Sequence, residues 1–105
     1  MLAFSLGGIC MSKYEIHAKI CEELTQIYYN KNQDYGDSFA IVRAKVPDAI
    51  RVRLWDKMLR LDNLLSGSNA LVQSETIEDT LKDMANYCLM ELIERQLEKE
   101  KDNAD

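Results

Sequence analysis

The sequence predicts an all-α protein, a small helical bundle of about four helices that assembles into an oligomer. Three observations lead there. Apolar residues recur at steps of three and four along most of the chain, and no alternating run exceeds a few positions. One proline and four glycines leave few places for turns. A chain of 105 residues suffices for one small domain with a modest core, so assembly with further copies is expected to cover what that core cannot.

The first helix is expected from about Lys13 to Asn32, with Ile16, Ile20, Leu24 and Ile27 along one side. "NQDYGDS" ends it, with Gly36 as the turn residue, and Ser38 is placed to cap a short helix through "FAIVRAKV". Pro47 opens the third helix, because the first-turn N–H that proline lacks has no partner anyway. That helix continues through "DAIRVRLWDKMLRLDNLL". "SGSNALVQS" reads as a loop, and the last helix is expected from about Thr76 to Glu98. Residues 1–12 read as a poorly ordered N-terminal extension, 13–98 as a single domain and 99–105 as a frayed tail.

Composition narrows the function. With 47% hydrophobic and 30% charged residues the chain has the mix of a soluble globular protein. A net charge of -5 argues against a reader of duplex nucleic acid, which needs a positive face for the phosphates, though not against a small anionic ligand. Cys10, Cys21 and Cys88 cannot all pair within one chain and show no CxxC spacing, which fits reduced thiols in a cytoplasm, with Cys21 and Cys88 as core residues. "MLAFSLGGIC" lacks the positive start of a signal peptide and is too short to span a membrane.

Helical geometry at roughly 100° per residue separates ordinary charges from misplaced ones. Glu22 points away from the apolar side of the first helix, whereas Glu23 falls among Ile16, Ile20 and Ile27. A carboxylate there must be paired, protonated or coordinated. In the third helix Ile50, Leu54, Leu61 and Leu64 form a stripe, and Lys57 lies within it. Arg53, Lys57 and Arg60 line one flank, a column that suits phosphate oxygens or that Asp56 and nearby acids neutralise as surface pairs.

In the last helix Ile77, Leu81, Met84, Cys88 and Leu92 are the expected core stripe. A second line, Asp79, Asp83, Asn86, Met90, Ile93 and Leu97, follows heptad steps. Its far half wants an apolar partner and its near half a polar pocket. Asp79 and Asp83 could share a divalent ion, and oxygen-only donors suit Mg2+ or Mn2+. Alternatively Thr76 and Asp79 form an acidic version of a capping box, which explains Asp79 and leaves Asp83 unexplained. The stretch "KNQDYGDSF" gathers Lys31, Asp34, Tyr35 and Asp37 around Gly36. As a turn it needs only Asn32 and Gly36; as a site, Tyr35 would stack on a base while Lys31 reaches a phosphate.

In "KNQDYGDSF", "RLWDKMLRLDNL" and "ETIEDTLKDMANY", in that order and separation, the chain resembles the nucleotide modification associated domain 1 family, small proteins of phage and bacterial genomes. The resemblance covers about residues 20 to 98. That family is in turn similar, more distantly, to the MazG-like all-α nucleoside triphosphate pyrophosphatases. The larger group implies a dimeric or tetrameric bundle with Mg2+ held by an EExxE segment on one helix and an ExxD segment on the next. "EELTQ", Glu22 to Gln26, follows the first pattern, which makes Glu23 a ligand and puts Gln26 where a third acid is expected. Asp83 matches the last acid of the second, while Thr80 stands three before it, so Asp79 or Glu78 must serve instead. The resemblance, taken with the helical wheel, implies that Lys57 and Arg60 grip phosphates and that Lys31, Asp34, Tyr35 and Asn86 contact substrate.

The expected function is a metal-dependent nucleotide pyrophosphohydrolase acting on (deoxy)nucleoside triphosphates in phage-type nucleotide or DNA-modification metabolism. Glu23, Asp79 and Asp83 would hold Mg2+ or Mn2+, and Asp79, Asp83 and Lys57 would be the catalytic residues. Met90, Ile93 and Leu97 would make the subunit contact of a homodimer or homotetramer. His17, at a helix start, reads as a surface residue rather than a base, and no covalent nucleophile is apparent. The alternative is a non-catalytic helical dimer that binds a nucleotide or a protein partner in a DNA-modification pathway.

Overall fold

The computed structural model describes residues 10–67 and 70–104, leaving aside the side chains of 34, 35 and 70–75. Among these residues there are four helices and no strand, as the apolar period predicts: α1 Lys13–Tyr35, α2 Ser38–Lys45, α3 Ala49–Ser66 and α4 Ala70–Ala104. The chain divides into two compact units, residues 1–36 with α1 and residues 37–105 with α2, α3 and α4. Most of the expected N-terminal extension, residues 1–9, lies outside the described residues.

The start of α1 is fixed by a capping box. The Ser12 hydroxyl accepts from the Glu15 N–H at 3.1 Å, and the Glu15 carboxylate accepts from the Ser12 N–H at 2.9 Å. Two donors that the first turn leaves without helical partners are thereby satisfied. The helix runs three residues beyond Asn32, because the real stop is Gly36. Its N–H donates to the Asn32 carbonyl at 3.0 Å, and its backbone turns to φ 69, ψ -162, a region essentially reserved to glycine.

In the second unit, α2 begins at Ser38, with Asp37 rather than Ser38 at the cap position. α3 starts at Ala49, two residues after Pro47. The Ala49 N–H donates to the Val46 carbonyl at 2.9 Å, so Pro47 occupies the second position of a tight turn, where its fixed φ is equally at home.

The largest departure from the sequence expectation is α4, which begins at Ala70 rather than Thr76 and continues through the expected tail to Ala104. Thr76 is therefore interior and not a cap; its carbonyl accepts from the Thr80 hydroxyl at 2.8 Å. "ALVQ" contains good helix formers, and no glycine or proline follows Gly67 to interrupt the helix.

Charge holds α2 to α4. The Arg43 guanidinium makes a two-point contact with Glu91 at 3.0 and 3.1 Å, and its remaining donors reach Glu98 at 2.8 and 3.3 Å. Glu91 also accepts from Arg95 at 2.8 Å, one turn on. Glu91 is only 7% exposed. Hydrogen bonds from Glu98 and then Glu91 push the Arg43 pKa upward, and the Arg43 hydrogen bond holds both carboxyls below the ordinary glutamate range. Phe39, one turn before Arg43, is buried and stacks on Tyr87 of α4, with centroids 6.3 Å apart at 27°. Moving from Phe39 to Arg43 on α2 moves contacts from Tyr87 to Glu91 on α4, so the two helices run parallel.

The expected core stripe of α4 holds in part: Ile77 and Met84 are half-buried, but the buried face is rotated from the stripe. Leu81, Leu92 and Cys88 are exposed, whereas Thr80, Tyr87 and Glu91, each one residue earlier, face inward. One residue is roughly 100° of rotation, and it is the Arg43 and Phe39 partners on α4 that set it. Cys21, expected in the core, is also exposed.

Two stability outcomes follow. Gly36→Ala meets no atom within 4 Å of the added Cβ but forces an L-residue into a glycine backbone, so urea unfolding should show a loss of about 1–3 kcal/mol. Glu91→Gln should cost about 3 kcal/mol, near the low end for breaking a buried pair because Arg43 keeps Glu98. Since Arg43 depresses the folded-state pKa of Glu91, the stabilisation is complete above the unfolded value of 4.5 and is lost as pH falls through the lower folded value. Thermal melts between neutral and acid pH should therefore fall less steeply for Glu91→Gln than for the parent.

Candidate functional site

Between α3 and α4 the misplaced lysine of the apolar stripe finds its partner. Lys57 Nζ lies 3.3 Å from Asp83 Oδ2, with the two side chains 21% and 32% exposed. Its methylene stem lies along the face that also carries the half-buried Ile50, Leu54, Leu61 and Leu64. One turn earlier on α3, the Arg53 guanidinium carbon is 5.3 Å from the centroids of both Phe39 and Tyr87. Four residues forward on α3 are thus four residues back on α4, the signature of antiparallel helices. The polar rungs Arg53–Tyr87 and Lys57–Asp83 stand one above the other.

The remaining sequence-predicted residues are distributed as follows. Asp79 is exposed, one turn before Asp83 and on the same side of α4. Asn86 is buried, at 7% exposure, and Arg60 is exposed on α3. Lys31 and Glu23 are exposed on α1, in the other unit, and both take part in polar interactions there or elsewhere. The side chains of Asp34 and Tyr35 lie outside the described residues. Of the expected set, then, residues 37–105 bring Lys57 and Asp83 together, with Asp79 and Asn86 on neighbouring turns. Within that unit no group of three or more His, Cys, Asp or Glu side chains gathers in metal-holding reach among the described residues.

Residues 31–95 match the model of a family described as nucleotide modification associated domain 1. The chain belongs to that family. The matched stretch takes in both rungs, the Arg43–Glu91 contact, Lys31, Asp34, Tyr35, Arg60, Asp79 and Asn86, and it leaves Glu23 outside. No curated protein and no solved structure matches the chain.

Two features of this family member lie beyond what spacing along the chain shows directly. Arg53 shares a column with Lys57 and Arg60, but its platform of Phe39 and Tyr87 is not legible within one helix, because the three residues come from three helices. The Arg43–Glu91 contact did carry a signal: Glu91 follows Met84 by seven and Tyr87 by four, so it shares their face, the same test that singled out Glu23.

Chemically, the Lys57–Asp83 rung offers a cation and a carboxylate at one place, each still reached by solvent. The pair is half-buried yet still screened by water on both sides, so its coupling is expected at no more than about 1 kcal/mol, the upper end for solvent-reached pairs. A double-mutant cycle with Lys57→Met and Asp83→Asn should accordingly return a coupling below about 1 kcal/mol in urea unfolding, and both single variants should keep the helical circular dichroism of the parent.

Proposed function

We propose that this protein is a metal-dependent nucleotide pyrophosphohydrolase that cleaves a (deoxy)nucleoside triphosphate to the monophosphate and pyrophosphate. The observation that carries the reading is the Lys57–Asp83 contact, a lysine and a carboxylate presented together by facing helices. Membership of a family described by nucleotide modification supports a nucleotide as the ligand.

The donor chemistry fits a hard divalent cation. Asp79 and Asp83 offer carboxylate oxygens one turn apart on α4, the donor type that Mg2+ and Mn2+ take, and Asn86 on the next turn is assigned to the substrate. Asp83 and Asp79 would hold the ion. When bound, such an ion polarises phosphate oxygens and lowers the pKa of a water molecule that attacks phosphorus. Lys57 exchanges its contact with Asp83 for one with phosphate and offsets the charge that develops on the departing pyrophosphate. Arg60 adds a planar two-point donor for an outer phosphate.

Ile93 and Leu97 are exposed apolar residues at the far end of the heptad line, and with Met90 we assign them to the contact of a homodimer or homotetramer. Among the described residues no helix is long and apolar enough to cross a membrane. We place the activity in a bacterial or phage-infected cytoplasm. A second reading, a nucleotide-binding protein without turnover, is favoured by one observation: residues 37–105 do not by themselves supply three gathered metal ligands among the described side chains.

The two readings separate in one assay. Purified protein incubated with common and modified nucleoside triphosphates and either metal should release pyrophosphate, only when Mg2+ or Mn2+ is present. Asp83→Asn should lower turnover at least about a hundredfold while its melting temperature stays close to the parent's. Release that persists in chelator removes the metal from the mechanism. No release from any triphosphate, together with saturable nucleotide binding, establishes the binding reading instead.

A further inference from the structure

Residues 37–105 contain two arginines half-buried between helices, and they are treated very differently. Arg43 has its donors taken by Glu91 and Glu98, four contacts between 2.8 and 3.3 Å. Four of its five N–H donors are thereby committed to carboxylates, which makes it a structural cation. Arg53, also half-buried, has no carboxylate or carbonyl partner among the described residues; its contacts are the faces of Phe39 and Tyr87.

Ring faces attract a cation through their negative π density, and they take up no N–H as a carboxylate does. The guanidinium is thus oriented while its five donors remain uncommitted. The distances define its free side as well. Each ring lies 5.3 Å from the guanidinium carbon and the rings lie 6.3 Å from each other, so they subtend less than a right angle there. Both rings sit to one side of Arg53, not on opposite faces. In a chain with net charge -5 and glutamates already drawn to Arg43, an arginine kept from acidic partners is conspicuous.

We infer that Arg53 is the anchor for a phosphoryl group of the ligand, held ready by Phe39 and Tyr87. A phosphate suits it because the guanidinium fork matches two phosphate oxygens at once, and because Lys57 stands one turn further along the same face as a second, point-like cation. The net negative charge disfavours a long polyanion and leaves a small phosphorylated molecule as the ligand class. This deepens the nucleotide reading by adding a residue to the phosphate grip, yet it needs neither a metal nor hydrolysis.

Binding of inorganic tripolyphosphate, followed by calorimetry at low ionic strength with chelator present, tests it. The parent should bind. Arg53→Met should weaken binding by about tenfold to a hundredfold, the loss expected for charge-assisted hydrogen bonds. Arg53→Lys keeps a cation over the rings but not the planar fork; it should preserve the melting temperature and still bind at least about fivefold more weakly. Tyr87→Leu should fall between the parent and Arg53→Met, because Arg53 loses half of its platform.

Parent-like affinity in Arg53→Lys and Arg53→Met overturns the inference, as does a parent that binds no tripolyphosphate. If Arg53→Met fails to fold, the Lys variant decides alone. Because metal is excluded, the result is independent of the pyrophosphohydrolase reading. Arg53-dependent binding without any pyrophosphate release would sink only that reading, and metal-dependent turnover indifferent to Arg53 would sink only this one.

Discussion

Glu91 is almost fully buried and ionised, and the arrangement of α2, α3 and α4 follows from where its counter-charges come from. A carboxylate taken from water without compensation costs more than a small domain can spare, so a cation must be brought to it. Arg95 on the same helix supplies one contact. The other, from Arg43, crosses between elements and fixes both the direction of α2 and the rotation of α4 about its axis. Once Arg43 meets Glu91, Phe39 one turn away is carried onto Tyr87, and Tyr87 in turn gives Arg53 its seat. The register of α3 against α4 then places Lys57 at Asp83.

Polar contacts stand out in this interior, above all that of Arg43 with Glu91. Among the described residues of 37–105 the fully buried hydrophobic side chains are Phe39 and Ala49, and Ile50, Leu54, Leu61, Leu64 and Met84 are half-buried, while Val52, Trp55 and Leu59 on α3 and Leu81 and Leu92 on α4 are exposed. Hydrophobic burial, normally the main contributor to stability, is thus mostly partial among the described residues of this unit. Directional contacts take a larger share of the work. They also choose one rotation and one register where a smooth apolar face would accept several. Among the described residues no buried side-chain nitrogen or oxygen is left without a partner, as such an interior requires.

What the sequence disclosed depended on whether the signal was local. The helical class, the start of α1 and the stripe of α3 all follow from spacing within a single segment, and Lys57 stood out because it interrupted that stripe. Its pairing with Asp83 had to wait for the antiparallel register, which no single helix encodes. The phase of α4 went astray for a related reason. Leu81, Cys88 and Leu92 form as good a stripe as Thr80, Tyr87 and Glu91, and only the partners across the interface prefer the second. The extra turns at the start of α4 were hidden by Ser66, Gly67, Ser68 and Asn69, whose turn chemistry was extended too far along the chain.

The shortness of α2 carries a consequence of its own. Eight residues are fewer than an isolated helix needs to persist in water, and this one has no side-chain cap at its start. Its coiling is therefore conditional: it lasts while Phe39 and Arg43 are gripped from outside, and it unwinds when they are released. The segment just after Gly36 thus acts as a built-in gauge of its neighbours, and amide exchange along Ser38–Lys45 reads out, from a single short stretch, the integrity of the whole three-helix arrangement.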